Sequence, residues 1–402
     1  MLDLPILAEH ESIRVRLTDQ QARSLATTPF VTVAPGGEPG TWVLTAREHV
    51  GSLVVDGMRL LIRPKIRPDN LFVLLEVGLP PRSWRQEAFD YATSADLLPS
   101  VIAFFARTAE TTLARGLLRS YRERREPLVA LRGRPDFPTQ TARGGVPFPI
   151  ACRYEDYTDD NAENRYLKAA VRRAARVPLV PAADRRRLLQ LLVTLESVTD
   201  DAVDAASLDR ITITRLNAHY VPALRLARLV LANLTLLDRR GATRASSFMV
   251  DMNRLFEDFV TERLRRALAG RLEVRGQVPA HLDVARAVPM RPDLVLRRDG
   301  APVYVADIKY KLTADATARN ADYYQLLAYT TALELPEGVL IYCRSDGGTP
   351  SRSVTVRRAG KVLHTYAVNL AGPPESVDQE ITALADWIEE RSTAAATAIN
   401  RR

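Results

Sequence analysis

The stretch MRPDLVLRRDGAPVYVADIKYK, residues 290–311, decides how this chain is read. Two apolar runs, at 294–296 and 303–306, flank Arg298-Asp299-Gly300. An Asp-Gly pair between such runs predicts two strands joined by a tight turn. Side chains alternate between the faces of a strand, so Asp307 and Lys309 share one face while Ala306, Ile308 and Tyr310 take the other. Asp293, at the start of the preceding strand, reaches the same face if the strands pair about the turn.

That geometry has a chemical meaning. Two carboxylates converging on one point form a hard, oxygen-rich site of the kind Mg²⁺ prefers, with waters and a substrate phosphate completing the shell; Mn²⁺ is an expected substitute. A lysine beside them orients or helps deprotonate the attacking water and offsets charge developing at the phosphate. An arginine does this poorly because its guanidinium does not release a proton at usable pH. The chain has 5 lysines against 51 arginines, so a lysine at 309 stands out. An acid followed on the next strand by acid-x-Lys is the arrangement of the PD-(D/E)XK nucleases. The competing reading is a solvated sheet face carrying a cross-strand ion pair. Arg-Pro-Asp occurs three times, ending at Asp69, Asp136 and Asp293, and only the third precedes a strand with acid-x-Lys.

Two flanking helices bear on the same site. In MNRLFEDFVTERLRRAL the apolar stripe is Leu255, Phe256, Phe259, Val260 and Leu264, and Glu257 shares a face with Val260 and Leu264. It is the acid beside the core, able to extend a metal shell or hold a water; a surface contact with Thr261 or nearby arginines is the alternative. Downstream, DYYQLLAYTTAL sets Gln325 and Tyr329 one turn apart on a helix expected behind the Asp307 strand. Gln325 is a candidate to steady lysine or phosphate, and core packing accounts equally well for Tyr329.

Outward from this motif, 402 residues with 46% apolar and 26% charged side chains predict a folded, multidomain α+β chain. Residues 1–95 read as β-rich, with a hairpin at Asp56-Gly57 in SLVVDGMRLLI. Residues 96–244 read as mostly helical, from Val101, Phe104, Phe105 and Thr108 and from Leu188, Leu191, Leu192 and Leu195. Arginine-rich runs here, RSYRERRE at 119–126, Arg172 to Arg176 and Arg185 to Arg187, are expected on solvated helix faces rather than on DNA. Residues 245–402 read as an α/β domain with a last amphipathic helix through Val377, Ile381, Leu384 and Ile388, then a frayed tail from Ser392. A net charge of +8 favours polyanionic partners. Two cysteines and five scattered histidines exclude a disulfide framework or Cys/His zinc cluster, and no export signal, membrane span or phosphate-binding GxxxxGK[ST] loop is present. A cytoplasmic protein is expected.

The segments SFMVDMNRLFEDFV, RPDLVL and ADIKYK, in this order, resemble the nuclease domain of McrC family proteins. LVVDGMRLLIRPKI, GLLRSYRERREPLVALRGRPDF and YEDYTDDNAENRYLKAAV resemble the family's upstream segments, so the likeness covers most of the chain. It implies the endonuclease subunit of a modification-dependent (type IV) restriction system that cuts double-stranded methylated DNA with a hexameric AAA+ GTPase, McrB. In that family the N-terminal domain inserts into the ring's central pore and stimulates hydrolysis. The family's metal-binding acids and lysine correspond to Asp293, Asp307 and Lys309, with Glu257 and Gln325 at accessory positions. Arg63 and Lys65 in IRPKI are candidates for touching the ring, against a plain role in the β-domain's turn. Two rival readings are a non-cutting activator of an AAA+ partner and a PD-(D/E)XK nuclease of transposition or repair.

Overall fold

Period in the sequence sets the architecture, and one run departs from it. The protein is described by a computed structural model covering residues 2–75, 96–144, 148–177, 180–237, 245–312, 316, 318–344 and 351–399. The architecture is mixed α/β in several units. At the N-terminal end, strands Ser12–Arg16, Val31–Pro35 and Thr41–Ala46 form an antiparallel sheet with Thr41–Ala46 in the middle. The hairpin follows as β1 (His49–Val55) and β2 (Met58–Arg63), with Asp56 and Gly57 at φ of 50° and 73°, the values a type I′ turn demands.

The middle region packs on its helical stripes. In α1 (Leu97–Leu113) Val101, Phe104, Phe105 and Thr108 are buried as their spacing predicts. RSYRERRE is the departure. It does not lie on a helix but forms β3 (Ser120–Leu128), paired along its length with β4 (Ile150–Thr158). Helices in proteins are held mainly by packing an apolar face, and this run has none to bury. As a strand it finds partners across the ladder: Arg153 bridges to Glu123 at 2.7 Å, and the Tyr121 ring packs tilted against Tyr157 with centroids 5.0 Å apart. The other arginine runs do sit on helices, at the end of α2 (Ala162–Ala175) and in Ala182–Thr194. Helix α3 (Val221–Asn233) closes this core against α1 and α2.

Residues 245–402 open with β5 (Ala245–Asp251), which lies between the strand Leu234–Leu237 and β1 and pairs antiparallel with both. Gly51 makes this possible. It sits at φ 137° opposite Met249, and a Cβ there would lie 1.9 Å from the Phe248 carbonyl oxygen. Then come α4 (Met252–Ala267) and a six-stranded sheet of β6 (Glu273–Gly276), β7 (Leu294–Arg298), β8 (Ala301–Leu312), β9 (Glu337–Arg344), β10 (Ser351–Thr355) and β11 (Val362–Asn369). Their order is β6-β7-β8-β9-β11-β10; β6, β7 and β8 are antiparallel, and β8, β9 and β11 run parallel. One face, with Ala306, Ile308 and Tyr310, packs on α4 and α6 (Pro374–Ile399). The other, with Val305, Leu340 and Tyr342, packs on α5 (Asn320–Ala332).

The end of the chain corrects a second expectation. Rather than fraying at Ser392, α6 continues to Ile399, in keeping with the high helix propensity of its alanines. Two buried contacts tie the N-terminal region to the C-terminal sheet. Tyr310 donates its hydroxyl to Glu9 Oε2 at 3.1 Å, and Asn70 Nδ2 donates to the carbonyls of Leu370 and Gly372 at 2.6 and 2.8 Å.

Candidate active site

The turn joining β7 and β8 sets the geometry of the site. Asp299 and Gly300 take φ of 52° and 81°, and the ladder above them pairs Leu294 with Ala306. Asp293, one residue before Leu294, therefore comes beside Asp307. Its Oδ2 accepts the Ile308 backbone N–H at 2.7 Å, which fixes it at the strand's end. Asp307 and Lys309 share the α5 face as alternation requires, with Lys309 Nζ 2.8 Å from Asp307 Oδ2.

Burial gives the group its chemistry. Asp307 is 0% exposed, and among the described residues neither carboxylate oxygen accepts a well-directed hydrogen bond. Burial first, and then the negative charge of Asp293, push the Asp307 carboxyl well above the usual carboxylate range against the pull of Lys309. Burial acts to lower the Lys309 ammonium, but the Asp307 and Asp293 carboxylates outweigh it and hold it above its ordinary value. An under-satisfied buried anion beside a second carboxylate is the donor chemistry a hard divalent cation takes. Among the described residues no group of three or more His, Cys, Asp and Glu could hold a metal ion. The fit is therefore to a cation held by two aspartates with water and phosphate oxygens, the usual habit of Mg²⁺.

The accessory residues reach this centre through intermediaries. Glu257, half-buried on α4, accepts a hydrogen bond from Gln277 Nε2, and the same nitrogen donates to Asp293 Oδ1 at 3.0 Å. Burial, then the Asp293 charge, raise the Glu257 carboxyl. Gln325 Nε2 donates to Tyr329 Oη at 2.7 Å, and Tyr329 in turn donates to the Arg291 carbonyl at 3.3 Å. This hydrogen-bond chain ends on the backbone two residues before Asp293 rather than on a carboxylate, and Tyr329 feels the charges of Asp307, Asp293 and Lys309. Arg63 and Lys65 are exposed at the end of β2 and just beyond it, and the Lys65 backbone N–H donates to Glu9 Oε2 at 2.8 Å.

Two features went unread in the sequence. Gln277 is brought in only by the β6–β7 register, which no local pattern announces. Lys311 Nζ binds both oxygens of buried Asp322 at 3.0 and 2.8 Å, and Tyr342 donates its hydroxyl to the same carboxylate. The scarcity of lysine could have pointed to Lys311. Of the two decoy Arg-Pro-Asp sites, Asp136 caps the helix Phe137–Ala142 and Asp69 lies in the helix Pro68–Leu74. Among the described residues no helix is long and apolar enough to cross a membrane.

Comparison with known proteins follows the same outline. A family model described as McrBC 5-methylcytosine restriction system component matches residues 44–343. Among solved structures, the chain is similar to one in the refined half-complex from the tetradecameric assembly of Thermococcus gammatolerans McrB AAA+ hexamers with bound McrC. The TM-score is 0.55 at 20% identity, over 96% of this chain and 100% of that one. A chain of the cryo-EM structure of the Thermococcus gammatolerans McrBC complex gives 0.43 at 23% identity, over 67% of this chain and 89% of that one. No curated protein matches.

Proposed function

The chain belongs to the family of McrBC 5-methylcytosine restriction system components, and from that premise we propose that it is the DNA-cutting subunit of such a system. The observation that carries the reading is the meeting of Asp293, Asp307 and Lys309 on one sheet face, with Asp307 buried and under-satisfied. Three antiparallel strands leading into parallel ones, with helices on both faces, agree with a PD-(D/E)XK nuclease core. We assign the cutting to residues 245–402, partner binding chiefly to 1–95, and a linking role to the mostly helical residues 96–244.

Mg²⁺, or Mn²⁺ in its place, would supply Lewis-acid polarisation of the scissile phosphoryl group and a more acidic water. Asp293 and Asp307 would hold it. Lys309, 2.8 Å from Asp307 Oδ2, offsets charge at the phosphate and orients the attacking water or helps to deprotonate it. Glu257, with its raised carboxyl, is placed to exchange a proton with solvent at the border of the site. Gln325 and Tyr329 shape the wall that confines the substrate phosphate.

The Thermococcus assembly contains McrB AAA+ hexamers with bound McrC, and we assign a like GTPase ring to this chain, its hydrolysis stimulated on binding. The surface that suits such a partner includes Arg63, Lys65 and the β3–β4 region, where Tyr121, Val129, Leu131, Phe137, Phe148 and Tyr157 are all exposed. The test uses the assembled complex with GTP and methylated duplex DNA in Mg²⁺. Asp307→Ala and Lys309→Ala abolish strand scission while ring assembly and GTP hydrolysis persist. Cleavage at the wild-type rate by either variant overturns the site; stimulated hydrolysis with no scission by the wild type favours a non-cutting activator.

A further inference from the structure

We propose that Gln277 is a positioning residue that sets the affinity of the Asp293–Asp307 pair for a divalent cation, an inference that rests on reading that pair as the cation site. Three independent features converge on it. The β6–β7 ladder pairs Gly276 with Leu294, so the next residue along β6 falls opposite Asp293, and the Gln277 backbone N–H donates to the Asp293 carbonyl at 2.9 Å. Its side chain then turns back to the same residue, Nε2 donating to Asp293 Oδ1 at 3.0 Å and to Glu257 Oε1. Finally, Gln277 holds φ 51°, a left-handed conformation unusual for a residue with a side chain.

The chemistry of the contacts says what this does. Ionised carboxylates only accept hydrogen bonds, so the amide must present its nitrogen to both. It therefore stands as a donor between two acids that would otherwise repel each other. With Ile308 N–H on Oδ2 and Gln277 Nε2 on Oδ1, both oxygens of Asp293 are aimed, each keeping a lone pair for a cation. Asp307 is wholly enclosed, whereas Asp293, 9% exposed at a strand end, is aimed by these two donors. Partners of this kind typically change metal affinity by about 10–100-fold when removed.

Mn²⁺ binding to the full chain, without DNA, provides the test. Wild type binds Mn²⁺ and Asp307→Ala does not. Gln277→Met, which keeps the volume and loses the donor, binds about tenfold more weakly or worse. Gln277→Gly, which suits the left-handed backbone, weakens binding to a similar degree while melting no lower than wild type. Wild-type affinity in both variants overturns the role of Gln277 and leaves the cation site standing. A wild-type chain with no Mn²⁺ binding sensitive to Asp307→Ala overturns the cation site, and this proposal with it.

Discussion

Two strands of this protein carry the same local pattern, acid-x-base, and put it to opposite physical use. On β3 it is Glu123-x-Arg125, and on β8 it is Asp307-x-Lys309. The Glu123 side chain is 42% exposed, and hydrogen bonds from Arg125 and Arg153 draw its carboxyl below the usual range. Asp307 is fully buried, and desolvation carries its carboxyl the other way. In water the charge of an exposed pair is screened and contributes little. In the interior the same charge is costly unless something else compensates it. The pattern is therefore neutral evidence, and burial beside a second acid turns it into a candidate cation site.

Asp307→Asn gives the largest expected effect. Cleavage by the assembled complex should fall by about a thousandfold, the scale of losing a charged group that acts on the transition state. The cation-free chain, relieved of a buried anion, should melt at least as high as wild type, the usual opposition of stability and function at such sites. A variant that cuts normally would show that the buried aspartate is merely structural.

Glu9 separates burial from site formation. It is 1% exposed, its Oε1 has no partner among the described residues, and burial pushes its carboxyl up to about 7 against hydrogen bonds from Lys65 N–H and Tyr310. In the unfolded chain it titrates near 4.5. Its contribution to stability is thus complete below 4.5 and is lost as pH rises through 7. A difference of that size corresponds to about 3 kcal/mol. Urea unfolding at pH 5 and pH 8 should show wild type losing about that much relative to Glu9→Gln. Parallel pH profiles for the two proteins would mean that the carboxylate is solvated. The charges of Lys65 and Glu48 act on Glu9, but among the described residues it makes no direct ion pair of the kind Lys309 makes with Asp307, and that difference separates an awkward buried acid from a candidate site.

Much of the architecture was legible because its causes are local. The hairpins at Asp56-Gly57 and Asp299-Gly300 follow from the turn's φ requirement, and the shared face of Asp307 and Lys309 from the pleat. The helical stripe through Val101, Phe104 and Phe105 follows from its period. What stayed hidden depends on partners distant in sequence. β3 is a strand because β4 supplies the other half of its ion pairs, and β5 can lie against β1, distant in sequence, because Gly51 leaves room for the Phe248 carbonyl. Gln277 belongs to the site through register alone, and the burial of Asp307 is a sum over both faces of a sheet that no window of sequence contains.

The smallest expected effect breaks the comparison most cleanly if it fails. Glu123→Gln removes one member of the β3–β4 ion-pair set and leaves Arg125 and Arg153 free to hydrate, because all three side chains are at least 42% exposed. Water replaces what the carboxylate supplied, so melting temperature and Mg²⁺-dependent cleavage should both match wild type from pH 6 to 8, conditions in which Glu123 is ionised throughout. Should Glu123→Gln instead abolish cleavage as Asp307→Asn is expected to, with ring assembly and GTP hydrolysis unchanged, an exposed acid-x-base pair would matter as much as a buried one. Burial would then no longer distinguish the two strands, and the candidate site would have to be sought on the β3–β4 surface.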